Sequence, residues 1–407
     1  MALTRKGDSH LKTCRYIGKL ACLAQSQPIA NEDFPNAECI QPLARPPILE
    51  VQPGIMINEE IRHYLLQVYL TRIHCLYPFL NESMPPLAHT SLLTGDLDPW
   101  QKFILELIYA IACYSVDQDG YRTLAQDYHN RVLPNIDNAT ADITIYSLQA
   151  ITLLALHSLF EPQKGNAWQL IGFAGRLAMD LERHGSQNQE TMMGRIYSSI
   201  YCIENQLATA LDRPCFLPEP VGIYLHSHAV RDITLTIHQD RPLNFDTRHP
   251  ANFICSLYRI QSRFRNVHRD VASLLQRSVP VGNPDWRRDA ERFLNPNALA
   301  VAYETHLLID PKPATAARLL SMYARADYIY TFLTAQWAYK AAMIALTRDD
   351  SLSSLPDADL MQAYGDCLLV LERASHRWSG ASLLKESVQS CLKIRKRDQE
   401  LVATFPI

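Results

Sequence analysis

A chain of 407 residues, 47% hydrophobic and 20% charged, is long enough to bury one large core or two ordinary ones. Its formal net charge of -3 excludes a global positive field that would draw the whole molecule to nucleic acid or to an anionic membrane. The N-terminus lacks the apolar run of a signal peptide, and the most apolar stretches, 103–113 and 143–160, are too short or too interrupted for a membrane span.

The first 56 residues differ from the rest of the chain. Six prolines interrupt a polar stretch without sustained periodicity, which is typical of linkers and flexible arms. From Ile57 onward the pattern is helical, and no run of alternating β-branched residues is long enough to indicate a sheet. We therefore predict a flexible arm over 1–56 and an all-α domain over 57–407.

Apolar periodicity and helix-end signals predict the helices in chain order. Asp98 before Pro99 is typical of a helix start, and Asp142 precedes an apolar run in the same way. The predicted helices span about 57–77, 98–115, 119–133, 142–160, 165–184, 188–211, 248–277, 284–294, 314–347, 357–378 and 380–403. The stretches 103–113 and 143–160 are apolar nearly all round, which predicts two central helices.

The irregular region 212–247 separates an N-terminal from a C-terminal set of helices. It contains four prolines, and loops of this length are usually functional or run over the surface. One domain with two lobes is the first interpretation, and two separate domains are the second.

From residue 142 onward an ordered series of motifs resembles a known family. The series comprises a leucine-rich helix, an Ala-Trp pair, a Gly-x-Ala-x-Arg-Leu-Ala-x-Asp-Leu helix, an Arg before an aromatic helix, and Arg-Pro. They stand here as 148–155, Ala167-Trp168, 172–181, Arg195–Tyr197 and Leu211–Pro214. The chain is similar to the regulatory, or middle homology, domain of fungal transcription factors of the six-cysteine, two-zinc class. The resemblance implies a two-lobed helical fold and a role in transcription regulation.

Two features depart from that family. Its Gly-Arg-Pro is Asp212-Arg213-Pro214 here, so the turn lacks the flexible residue. Its DNA-binding module needs six closely spaced cysteines around two zinc ions, whereas the N-terminal stretch has only Cys14, Cys22 and Cys39. We therefore predict no bound metal or cofactor, and contact with DNA only through a partner unless a zinc cluster lies upstream.

The resemblance favours a nuclear transcription regulator of a metabolic or secondary-metabolite gene set. It would respond to a small-molecule effector, a protein partner or a second copy of itself. Basic clusters over Arg5–Lys19 and Lys393–Arg397 are of the kind that serves nuclear import. The alternatives are an enzyme acting on a hydrophobic metabolite and a protein that dimerises with complete zinc-cluster factors. No nucleophile elbow, phosphate loop or His-Glu-x-x-His motif is present, so we predict no catalytic residue.

Glu204 is the carboxylate singled out by its position on an aromatic helix. We predict a structural ion pair with Arg213 as first choice and Arg176 as second, because Pro214 turns the chain back toward the helix. A general-base role for Glu204 is the alternative.

The predicted helix 314–347 is unusually aromatic. Stacked rings there predict a pocket for a hydrophobic effector, with core packing between lobes as the alternative. The residues concerned are Tyr323, Tyr328, Tyr330, Phe332, Trp337 and Tyr339.

Overall fold

The computed structural model describes residues 46–47, 59–81, 97–116, 118–163, 165–184, 190–220, 250–269, 295–346 and 356–404. Within these ranges the regular structure is helical, with no β-strand, so the predicted all-α fold is confirmed. None of the described helices is both long enough and apolar enough to cross a membrane. Nearly all of the predicted arm and most of the region 212–247 lie outside the described residues.

The chain divides into two compact units. The described residues between Ala37 and Ser256 form one, here the N-terminal unit, and those from Leu257 onward form the other, here the C-terminal unit. The boundary falls inside a helix rather than in the predicted region 212–247. The assignment of these units as lobes or as separate domains stays a prediction.

The N-terminal unit holds seven described helices and the start of an eighth. A π-helical turn, Tyr69–His74, extends the first, and a 3-10 turn, Leu133–Asn135, joins the third and fourth. The helices are α1 (Glu59–Val68), α2 (Pro99–Tyr114), α3 (Asp119–Val132), α4 (Ile136–Thr140), α5 (Ile145–Phe160), α6 (Ala167–His184), α7 (Glu190–Ala210) and α8 (Pro250–Arg269).

Helix α5 is the centre of the N-terminal unit. Every residue from Ser147 to Phe160 is buried, and α5 contacts α2, α4, α6 and α7. Helix α2 is buried from Phe103 to Tyr114 except at Glu106. The two stretches predicted to be central are therefore central, because a helix that is apolar all round must be covered by others.

The starts of these two central helices follow their capping residues. The Asp98 carboxylate accepts the Gln101 N–H at 2.8 Å, with Pro99 in the first turn, as predicted. At α5 the cap is Thr144, whose hydroxyl accepts the Ser147 N–H at 3.1 Å. The predicted cap at Asp142 is wrong, because the helix begins only at Ile145.

Helix α7 ends in a left-handed turn. Asp212 has φ 54°, and the Arg213 N–H donates to the Ala208 carbonyl at 2.8 Å. This is the Schellman arrangement, in which glycine is usual because a Cβ disfavours positive φ. The family's glycine at this position therefore has a conformational reason that Asp212 meets less well.

The C-terminal unit contains the remainder of α8 and five further described helices. Helices α10, α11 and α12 contact one another, α9 contacts α10, and α13 contacts α11 and α12. Their bounds are α9 (Pro296–Ile309), α10 (Pro313–Tyr323), α11 (Phe332–Leu346), α12 (Asp357–Ser375) and α13 (Gly380–Thr404). Helix α9 was not predicted, although Asn295-Pro296 is the same kind of start signal as Asp98-Pro99.

The single helix predicted over 314–347 is wrong, because the chain breaks between α10 and α11. The break is held by Asn297 of α9, whose side chain donates to the Ile329 carbonyl at 3.0 Å and accepts the Ile329 N–H at 3.3 Å. Tyr328 and Ile329 are thereby buried. A contact with another helix thus overrides the local helical pattern.

Candidate functional site

A cavity of about 760 Å³ lies in the N-terminal unit. Its walls come from α3, the start of α4, α5 and α6, together with the turn before α6 and the segment after α7. The lining residues are His129, Ile136, Leu154, His157, Ser158, Gly165, Asn166, Trp168, Gln169, Leu170, Gly172, Phe173, Arg176 and Phe216. The volume is within the range of about 300–1,000 Å³ that is usual for small-molecule sites, and the lining is mainly apolar and aromatic.

Two stacked histidines form the inner wall of the cavity. The rings of His129 on α3 and His157 on α5 are parallel within 6°, with centroids 4.5 Å apart. Both side chains are buried, and Tyr114 meets the His157 ring edge-on at 5.7 Å. The inner wall of the cavity is therefore aromatic and buried.

Two phenylalanines and an arginine mark the outer side of the cavity. The side chains of Phe173 and Phe216 are 48% and 44% exposed, although both rings line the cavity. The ideal Cβ position of Gly172 lies 3.7 Å from Nη1 of Arg176 and 3.8 Å from the Phe216 ring. A guanidinium and an aromatic ring thus converge on the same point of α6.

Glu204 fixes the segment that supplies Phe216. Its fully buried carboxylate accepts the Phe216 N–H at 2.8 Å and the Leu217 N–H at 3.2 Å. Gly175 allows the same segment to approach α6, since a Cβ there would come within 2.8 Å of Leu217 Cδ2. The outer wall is therefore positioned by a buried carboxylate on α7 and by a glycine on α6.

The predicted ion pair joins Glu204 to Arg213 or, as second choice, to Arg176, and all three residues lie around this wall. Arg176 lines the cavity, and the guanidinium carbon of Arg213 lies 5.4 Å from the centroid of the Trp168 ring. The partners described for the Glu204 carboxylate are backbone amides. Its pairing with an arginine, and the alternative base role, stay predictions.

The aromatic residues predicted as a pocket lie in the C-terminal unit. The Tyr328 ring lies 5.0 Å from that of Tyr323 and 5.3 Å from that of Tyr330, and Trp337 is buried. Phe332 begins α11, and the hydroxyl of Tyr339 lies 3.4 Å from that of Ser387. A ligand pocket among these six residues stays a prediction.

Tyr323 belongs to a buried polar pair in the C-terminal unit. Its hydroxyl donates to Oε1 of Glu304, and both side chains are buried. Burial raises the pKa of Glu304 to about 7, although the Tyr323 hydrogen bond and the charge of Lys340 oppose that rise. This carboxyl therefore changes charge near neutral pH.

Sequence reasoning missed the cavity in the N-terminal unit. His129 and His157 lie on separate helices, and no spacing between them marks a site. The signal that was available is the run 172–176 within the family-like motif: Gly172 and Arg176 line the cavity, and Gly175 lies against Phe216 and Leu217. Among the described residues, no group of three or more His, Cys, Asp or Glu side chains is placed to hold a metal ion.

The family model for the fungal specific transcription factor domain matches residues 66–284. That match covers more than half of the chain, and the matched range contains every described residue that lines the cavity. The chain belongs to this family, as its motifs predicted.

A curated relative comes from Candida glabrata: the negative regulator of pleiotropic drug resistance STB5. It is 27% identical over 196 residues, which cover 42% of this chain and 20% of the relative. The chain thus matches about a fifth of that protein's length. No solved structure matches this chain.

Proposed function

We propose that this chain is the effector- or partner-responsive part of a nuclear transcription regulator that controls a metabolic or secondary-metabolite gene set. The observation that carries the proposal is the position of the cavity, since all its lining residues fall inside the family's matched range. A preformed apolar cavity within a regulatory domain supports control by a bound molecule.

Contact with DNA is proposed to be indirect. The six-cysteine module needs thiolates spaced to close two tetrahedral zinc sites, and Cys14, Cys22 and Cys39 are too few. A protein partner or a second copy of the chain would then bring it to the promoter. A zinc cluster upstream of this sequence would make the contact direct.

No observation among the described residues favours the alternative of an enzyme. Membership of a transcription regulator family supports a regulatory role, and a fold by itself does not decide chemistry. The pair His129 and His157 is described by the stacking of its two rings, and this contact by itself assigns no acid–base role.

A tethered reporter tests the regulatory role. The full chain is fused to a heterologous DNA-binding domain with an activation domain, and reporter output is compared with the fusion lacking the chain. We expect lower output, because the curated relative is a negative regulator. Glu204→Gln should weaken the effect by loosening the cavity wall, whereas Glu60→Gln on the exposed side of α1 should not. Equal output with and without the chain would contradict the proposal.

A further inference from the structure

We propose that the cavity of the N-terminal unit binds an amphipathic organic anion, a flat apolar molecule that carries one acidic group. This inference deepens the regulatory role proposed above, because it names the chemical class of the effector. It rests on the volume, the aromatic lining and the charge of the cavity.

The volume and the aromatic lining of the cavity favour a flat apolar molecule of ordinary ligand size. The inner surface is the parallel stack of His129 and His157, and the outer side carries the rings of Phe173 and Phe216. Trp168 adds an indole to the lining. Aromatic side chains in the lining pack well against a planar ring system, and burial of that system removes apolar surface from water.

The charge of the cavity favours an anion. Arg176 is the one permanently charged group among the described lining residues, and none of those residues is Asp or Glu. A second guanidinium, that of Arg213, lies against the Trp168 ring. An acidic group near Arg176 would gain a charge-assisted hydrogen bond at the wall where the Phe216 ring also lies.

The outer wall is built to hold that arrangement. Glu204 binds the two backbone amides that place Phe216 and Leu217, and Gly175 lets this segment lie close to α6. The Phe216 ring is therefore held in the lining of the cavity although its side chain is partly exposed. Preorganised walls lower the entropy that a ligand loses on binding.

Two fluorescent probes with the same ring system separate the apolar and charged contributions. Anilinonaphthalene sulfonate is a flat amphipathic anion, and N-phenylnaphthylamine is its neutral counterpart without the sulfonate. We expect the full chain to bind both saturably at one site. Arg176→Gln should weaken binding of the anion about tenfold and change binding of the neutral probe less than about twofold.

An occluding variant tests the location. A Cβ at Gly172 meets only ordinary contacts, so the longer side chain of Gly172→Leu would extend into the cavity and weaken both probes about tenfold or more. Gly365→Leu is the matched control, because this helical glycine of α12 has no atom within 4 Å of its ideal Cβ. It should leave both affinities unchanged.

Circular dichroism and the thermal midpoint show whether each variant is folded. If Gly172→Leu does not fold, Phe173→Glu replaces it, because about half of that side chain is exposed and Phe173 is not part of the buried core. It should lower the affinity for the anion most strongly.

The proposal is overturned if the folded chain binds neither probe saturably, if the occluding variant binds like the wild type, or if Arg176→Gln weakens both probes equally. The assay measures no transcription, so its failure and that of the reporter experiment are separate results.

Discussion

Glu204→Gln removes a charge from the best-defined polar contact of the N-terminal unit. The native carboxylate is fully buried, and its two oxygens accept one backbone N–H each, from Phe216 and Leu217. Glutamine keeps the shape but replaces one oxygen by an NH₂ group. One of the two backbone amides then faces a donor instead of an acceptor.

The expected loss follows from that count of hydrogen bonds. A buried N–H left without an acceptor costs about 1–3 kcal/mol, and the remaining bond loses its charge-assisted strength. We expect Glu204→Gln to lower the free energy of unfolding by about 2–3 kcal/mol. In a unit of this size that corresponds to a fall in Tm of roughly 5–10 °C. Glu204→Ala should cost more, because it removes both acceptors and leaves a small void.

Thermal and urea unfolding of the full chain, followed by far-UV circular dichroism, measures this loss. Limited proteolysis should show earlier cleavage in 211–217, and Glu60→Gln serves as the exposed control. A Tm for Glu204→Gln within about 1 °C of the wild type would refute the reasoning. A double-mutant cycle with Arg213→Ala tests the ion pair, since a shared interaction gives non-additive losses and independent roles give additive ones.

Three further predictions concern stability. Burial raises the pKa of Glu304 above its unfolded value of 4.5, so the folded state holds the proton more tightly than the unfolded state does. As pH rises from 4.5 to about 7, the free energy of unfolding should therefore fall by as much as ~3 kcal/mol. Urea titrations across this range should show the fall, and Glu304→Gln should abolish it. Asp212→Gly should raise stability by up to about 1 kcal/mol, because φ 54° is strained for a residue with a Cβ; calorimetry showing a lower Tm would contradict this. Gly365→Ala should raise the free energy of unfolding by about 0.5–1 kcal/mol, because alanine favours helix more than glycine does. Gly175→Ala should give no such gain, because its Cβ would approach Leu217 Cδ2 too closely. Equal gains in Tm for the two variants would argue against this close approach.

The fold class and the central helices were determined by local sequence. Apolar residues all round α2 and α5 required that other helices cover them, and Asp98 with Pro99 marked the start of α2. The ordered motifs between 142 and 214 were enough to predict the family that the comparison then showed. These features rest on periodicity and capping within a few turns of one helix. They can therefore be recognised in the sequence without knowing which other segments pack against that helix.

The break between α10 and α11 and the cavity were decided by tertiary structure. Asn297 holds Ile329 in a turn where the local pattern favours helix. His129 and His157 stack only because α3 and α5 bring them together. The Glu204 carboxylate accepts backbone N–H groups from beyond the end of its own helix. Every residue except proline has such a group, so the identity of the partner residues does not reveal the contact. Each of these contacts joins segments whose proximity depends on how the helices pack, and helical periodicity carries no information about that arrangement.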